Sequence, residues 1–279
     1  MAVVAWVMAE ALGYGLSFVG IALIVSGLMS FASYYYSDRI ILSLSKARPA
    51  SKKQDFHFFT VTENLVSAAR IPMPKLYVID DTSMNAFATG RDPDHAVVVA
   101  TTGLLHRLDR TELEGVIAHE LSHVANYDIR LMSLVTVLVG VITLLADWFL
   151  RMSFWGRRGR DNRGSGQIQA IFMIAGLVLA LLSPIIATFI KLAISRRREF
   201  LADASAATIT KYPEGLARAL EKLSHDKEPL EAANKATAHL YITNPLTNLK
   251  GSVGMFAGLF ATHPPIQDRI KALRGKQFS

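Results

Sequence analysis

His119-Glu120-Leu121-Ser122-His123 places two imidazoles four residues apart, with a carboxylate directly after the first. On a helix, positions i and i+4 project from one face, so both rings can reach one metal ion. Glu120 cannot easily join them, but it can hold a water and take its proton. The chemistry suited to that set is zinc-assisted hydrolysis of a peptide bond. Such a site takes three protein ligands and leaves a fourth position open. The chain has no cysteine, so the third ligand must be His, Asp or Glu. The best candidates stand in Ser195-Arg196-Arg197-Arg198-Glu199-Phe200-Leu201-Ala202-Asp203, where Glu199 and Asp203 are again four apart. One can bind the metal while the other accepts a hydrogen bond from the far nitrogen of a ligand histidine, fixing its tautomer. Taken alone, the pair is explained as well by helix-surface salt links to the three arginines.

These residues need elements to hold them. Apolar side chains at 113, 116, 117, 121 and 124 form a helical stripe around the histidines. Arg110, Glu112 and Glu114 are expected to keep the start of that helix in water, which marks it as a helix of a soluble domain and not one buried in lipid. Asp55 to Arg70 has helical spacing at Phe58, Val61, Leu65 and Ala68, and Pro72 and Pro74 end it. Lys75 to Asp80 and His95 to Ala100 are rich in strand formers. Leu216 to Ser224 and Pro265 to Gly275 read as helices. Residues 225–262 are poorly periodic and are expected to form a mobile cover over the cleft.

The chain resembles the HtpX-type membrane zinc metallopeptidases, relatives of the CaaX prenyl proteases. The matching features are His119-Glu120-Leu121-Ser122-His123 followed by Asp128, the segment Ser195-Arg196 to Glu199 and Ala202-Asp203, and Thr262-His263-Pro264-Pro265 with Arg269. The resemblance implies that His119, His123 and Glu199 bind one zinc ion per chain, that Glu120 is the general base, and that Asp203 orients a ligand histidine. It further implies that His263 and Arg269 stand near the zinc and donate to the oxyanion formed during attack. It also suggests that an extended substrate pairs with a strand edge at Asn85, Ala86 and Phe87. By sequence alone His263 is a turn residue before two prolines, Arg269 a solvated side chain, and Asn85 to Gly90 a turn and short strand.

Composition sets the wider frame. Of 279 residues, 51% are hydrophobic, too many for an ordinary soluble enzyme, yet the polar stretches are long. Leu12 to Phe31 is twenty residues without a charge, enough to cross a bilayer. Ile168 to Ile190 gives twenty-three more, and Leu131 to Ala146 is a shorter apolar run that either spans or re-enters. The expected fold is predominantly α, of the α+β class: a gluzincin-like zinc metallopeptidase domain with a small β-sheet, joined to transmembrane helices. The expected division is a membrane segment over 1–50, the peptidase domain over 51–130 and 191–279, and an inserted membrane hairpin over 131–190. HtpX-type chains begin with two membrane helices, whereas Ala2 to Ala9 followed by Glu10 is too short for one. Glu10 and the lack of a basic start also argue against a signal peptide.

Basic residues give the topology. Arg39, Lys46, Arg48, Lys52 and Lys53 follow the first span, and Arg130, Lys191 and Arg196 to Arg198 join them if 131–190 is a hairpin. They outnumber Arg151, Arg157, Arg158, Arg160 and Arg163 in the connecting loop, which places the catalytic domain on the cytoplasmic side of the plasma (inner) membrane. The net charge of +7 tracks these membrane ends and suits anionic headgroups. No nucleic-acid motif accompanies it, so the lipid bilayer and a polypeptide substrate are the expected partners, and no nucleic acid. The family resemblance implies proteolytic quality control of membrane proteins. The competing readings are a non-catalytic zinc-dependent membrane scaffold and an intramembrane protease. Glu120 speaks against the first and the charges of residues 107–128 against the second.

Overall fold

The computed structural model describes residues 34–134, 196–226, 228, 230, 240–242 and 264–275. The apolar runs at 12–31 and 168–190, all but the first four residues of 131–150, and His263 lie outside the described residues. Among the described residues no helix is long and apolar enough to cross a membrane.

Four strands form one small mixed sheet: β1 (Arg48–Pro49), β2 (Lys75–Ile79), β3 (Ala86–Thr89) and β4 (Val97–Thr101), in the order β1-β2-β4-β3. β2 and β4 run parallel, with Lys75 opposite Val97 and Ile79 opposite Thr101. β3 pairs antiparallel to β4, with Ala86 opposite Ala100 and Thr89 opposite Val97. The period of two along the strands sorts their side chains to two faces. Leu76, Val78, Ala86, Ala88, Val98 and Ala100 enter the larger core beneath the helices. Ile79, Phe87, Val97 and Val99 enter a second core, with Ile41 and Leu42 of α1 (Ser37–Leu44), Met132, Leu230, Leu240 and Tyr241. Both faces are therefore covered. This is why β4, Val-Val-Val-Ala-Thr, reads as an unbroken apolar run and is buried at every residue.

Below the sheet lie α2 (Phe56–Ala69), α3 (Thr102–Arg107), α4 (Arg110–Ala125), α5 (Arg196–Thr210), α6 (Pro213–His225) and α7 (Ile266–Gly275). The expected elements at 55–70, 75–80, 95–100, 216–224 and 265–275 all form, with ends shifted by a few residues. α4 starts at a capping box: the Asp109 side chain accepts from Glu112 N–H, and the Glu112 side chain accepts from Asp109 N–H at 2.8 Å. The reciprocal cap satisfies two otherwise open donors and contributes about 1 kcal/mol.

The expectation that charges hold the start of α4 in water holds for Arg110, which is exposed, and in part for Glu114, but fails at Glu112. Glu112 is buried, and Lys222 of α6 reaches its Oε2 at 2.6 Å. From Leu113 to Val124 every residue but Glu114 is buried. α4 is the central helix of the domain, enclosed by α2, α5, α6 and the β3 edge, and an enclosed helix buries its polar face as well as its apolar one.

Close approach of α6 to α4 depends on Gly115. A β-carbon there would lie 2.6 Å from Leu216 N and 2.7 Å from Leu216 Cα. These are backbone atoms at the start of α6, which cannot move aside as the tip of a side chain can. Gly115→Ala is expected to cost about 1–3 kcal/mol through overpacking. That lowers the melting temperature by roughly 2–4 °C per kcal/mol for a domain of this size. An unchanged thermal melt would show that the two helices do not meet here.

Candidate active site

Helical periodicity puts His119 and His123 on successive turns of α4, and their Nε2 atoms lie 3.3 Å apart. The rings stand edge to face, 4.8 Å between centroids. Glu199 reaches them from α5, whose buried positions Glu199, Ala202, Asp203, Ala206 and Ala207 follow the 3–4 spacing of one face. The alanines leave room for close packing on α4. Glu199 Oε2 is 3.7 Å from His119 Nε2, and Oε1 is 3.5 Å from His123 Nε2. Donors about 2.0–2.1 Å from a tetrahedral zinc are separated by roughly 3.3–3.5 Å; the two imidazoles stand at that spacing, and one carboxylate oxygen of Glu199 faces each ring at or slightly beyond it, with one donor from each residue within 4.8 Å of the others. His119, His123 and Glu199 form the group of donors among the described residues that could hold a metal.

Asp203, one turn beyond Glu199, places Oδ1 2.9 Å from His119 Nδ1. A carboxylate there accepts the Nδ1 proton and leaves the Nε2 lone pair for a metal. Arg269 of α7 donates to the same carboxylate twice, Nε to Oδ2 at 2.9 Å and Nη2 to Oδ1 at 2.7 Å. Its Nη1 lies 3.9 Å from Glu199 Oε2 and donates to the carbonyl of Ile242 at 3.5 Å. The arginine is fully buried, at 0% exposure. Burial alone would raise the Asp203 pKa. The charge and hydrogen bonds of Arg269, then those of His119, reverse that and hold it well below the usual carboxylate range.

The far nitrogen of His123 has its own partner. His123 Nδ1 is 3.0 Å from Asp128 Oδ2, and Arg198 donates to Asp128 Oδ1. In the metal-free protein, burial pulls the His123 pKa down. The Asp128 hydrogen bond and the charges of Glu199, Glu120 and Asp128 outweigh it and raise the value to about 9. A metal needs the neutral ring. Apparent zinc affinity is therefore expected to rise about tenfold per pH unit from 7 toward 9 and then level, with about one proton released from this site at pH 7. Chelator competition across that range measures the slope, and a flat profile would remove the protonated His123.

Glu120 is buried at 3% exposure, on the same turn as His119. Together the buried carboxylates Glu120, Glu199, Asp203 and Asp128 face two guanidinium groups, Arg269 and Arg198. The excess of two negative charges is what a divalent cation would neutralise, and a buried site without that balance would be costly.

The sequence-derived candidates fall into three groups. His119, Glu120, His123, Glu199 and Asp203 converge. Arg269 also arrives: it donates to Asp203 and the Ile242 carbonyl, and its Nη2 lies 3.4 Å from the ring nitrogens of His119. Asn85, Ala86 and Phe87 lie at the sheet edge beside α4. Asn85 O accepts Thr101 N–H within the sheet, so the Ala86 carbonyl points outward, where Ile242 N–H donates to it at 3.0 Å. The Phe87 side chain is buried in the second core against the Tyr241 ring, 5.0 Å away. Leu240, Tyr241 and Ile242 are buried against this edge, so this part of the expected mobile cover is packed down. Asp128 has no assigned role in the sequence motifs; a carboxylate just beyond the end of the helix that carries the two histidines is the signal it offers.

Residues 52–277 match the family described as Peptidase family M48. A protein described as "Protease HtpX homolog" from Dictyoglomus thermophilum is 50% identical over 256 residues, covering 90% of this chain and 81% of that protein. Another so described, from Streptococcus uberis, is 43% identical over 256 residues, covering 91% and 84%. Among solved structures, S. mikatae Ste24p aligns with a TM-score of 0.50 at 21% identity, over 92% of this chain and 57% of that one; that likeness concerns the fold.

Proposed function

Because this chain belongs to peptidase family M48, we propose that it is a membrane-bound zinc-dependent endopeptidase whose ligands are His119, His123 and Glu199. The observation that carries this reading is the convergence of these three buried residues, the imidazole Nε2 atoms 3.3 Å apart and a carboxylate oxygen of Glu199 facing each at 3.5 and 3.7 Å, with Glu120 buried on the same turn. Bound zinc supplies Lewis acidity, polarising a peptide carbonyl and making water acidic enough to lose a proton near neutral pH.

The side chains then have separate tasks. Glu120 takes the proton of the attacking water and delivers it to the departing amine. Asp203 holds His119 in the tautomer that keeps Nε2 free, and Arg269 holds Asp203. Arg269 is thus a positioning residue that acts through Asp203. His263 remains the candidate donor to the oxyanion. The outer edge of β3 is the candidate track for an extended substrate, with Asn85, Ala86 and Phe87 at its start, where a substrate would have to displace Ile242 from the Ala86 carbonyl. The apolar runs at 12–31, 131–146 and 168–190 support attachment to the bilayer, with the catalytic domain toward the cytoplasm. Substrates are then polypeptides at the membrane, and clearance of misfolded membrane proteins is the role that fits them.

The test uses the full chain purified in mild detergent and loaded with zinc, on an unfolded protein substrate. Cleavage that stops with a chelator and returns with zinc is expected. A chain with one zinc per molecule and no cleavage of any unfolded or membrane substrate would overturn the proposal in favour of a binding role.

A further inference from the structure

The Asp203–Arg269 pair orients only one of the two histidines, and the geometry points to a second, separately anchored arm: we propose that Asp128 is the positioning residue for His123 and that Arg198 holds Asp128 in place. This rests on His123 being a zinc ligand and concerns how its ring is kept in register.

The chain is built locally to bring Asp128 back beneath the histidine. α4 ends at Ala125. Tyr127 then adopts φ +59°, a left-handed backbone that its β-carbon disfavours. That reversal lets helical backbone resume at residues 128–134, with Asp128 buried at 5% exposure and Oδ2 3.0 Å from His123 Nδ1. A glycine would make the same turn without strain, so the turn is kept in place by what surrounds it. The Asp128 contact is one such restraint.

Arg198 completes the arm. It donates to the other oxygen, Asp128 Oδ1, and sits immediately before Glu199 on α5. His123, Asp128, Arg198 and Glu199 therefore close a loop: two ligands of the centre, on separate helices, are also linked through an ion pair behind them. The two paired residues are 70 positions apart, and the intervening sequence contains both inner apolar runs. Separation of α5 from residues 128–134 would release Asp128 and then the His123 ring. The two arms also differ in exposure. Arg269 is fully buried behind Asp203, whereas the Arg198 side chain is 43% exposed. The Asp128 arm is thus the one that solvent can reach.

The test compares the full chain with Asp128→Asn, Arg198→Ala and Arg198→Lys in the same detergent. Zinc affinity by chelator competition, the visible spectrum of the cobalt(II)-loaded protein and the melting curve of the metal-free protein are recorded. Asp128→Asn is expected to weaken zinc by about 10- to 100-fold and to alter the cobalt spectrum as the His123 ring exchanges a charged acceptor for a neutral, weaker one. Arg198→Ala is expected to change both in the same sense by a smaller amount, and Arg198→Lys to restore them in part. Parent-like zinc affinity and cobalt spectrum in Asp128→Asn, whatever its melting curve, would make the arm merely structural and overturn the proposal. Failure of the parent chain to hold one zinc would instead overturn the metal reading on which it rests.

Discussion

Glu120→Gln is expected to lower peptide-bond cleavage by about 10²- to 10⁴-fold while leaving one zinc per chain. The amide has the shape of the carboxylate and can still accept a hydrogen bond from water, but it cannot take the proton. Glu120 is 3% exposed, so bulk water and buffer have poor access to substitute for it. Its neighbours are fixed by other contacts, His119 by Asp203 and His123 by Asp128, so the ligand set is expected to persist. The measurement is a rate on an unfolded protein substrate beside elemental analysis of the same sample. If the variant keeps a tenth or more of the parent rate, Glu120 is not the base. If it loses zinc together with activity, the residue supports the metal site and its chemical role is undetermined by rate alone.

Arg269→Ala is expected to cost about 3–5 kcal/mol in the metal-free protein, because it strands the buried Asp203 carboxylate without its partner. At roughly 2–4 °C per kcal/mol for a domain of this size, the melting temperature should fall by about 6–20 °C. Zinc affinity should fall as well, since a loosened Asp203 no longer fixes His119. Arg269→Lys retains the charge but not the paired donors, so it should recover part of the stability and less of the metal affinity. The pH dependence has a definite sign. Asp203 has a depressed pKa in the folded protein, so its contribution is full above the unfolded carboxylate pKa and is lost as pH falls toward the folded value. The parent should therefore lose stability in acid more steeply than Arg269→Ala. A melt within about 2 °C of the parent would show that Arg269 is not the partner Asp203 depends on.

Much of this centre is local and was legible for that reason. A period of 3.6 residues places i and i+4 on one face, so the histidine pair in α4 and the Glu199 and Asp203 pair in α5 are both visible in short windows. Strand-forming runs at 75–80 and 95–100 likewise announce β2 and β4, because their side chains alone favour a pleated, buried surface. Misreading of the start of α4 has the same origin: Glu112 looks solvated in a window that cannot contain its partner, Lys222, 110 residues away.

The amino-acid sequence by itself determined which side chains stand together on each helix, and with the family resemblance it named the ligands and the base that are proposed here. Tertiary structure decided who serves whom. Packing of α5 on α4 brings Asp203 to His119 and Arg198 to Asp128. Packing of α7 brings Arg269 to Asp203 across 66 residues, making the partner of a buried carboxylate out of a side chain that by sequence alone reads as solvated. The outward carbonyl of Ala86 meets Ile242 only because residues 240–242 lie against the sheet edge. The physical reason is range. Periodicity and capping act over a few residues, whereas the pairing of buried charges depends on which helices exclude water together, and no short window of the chain contains that choice.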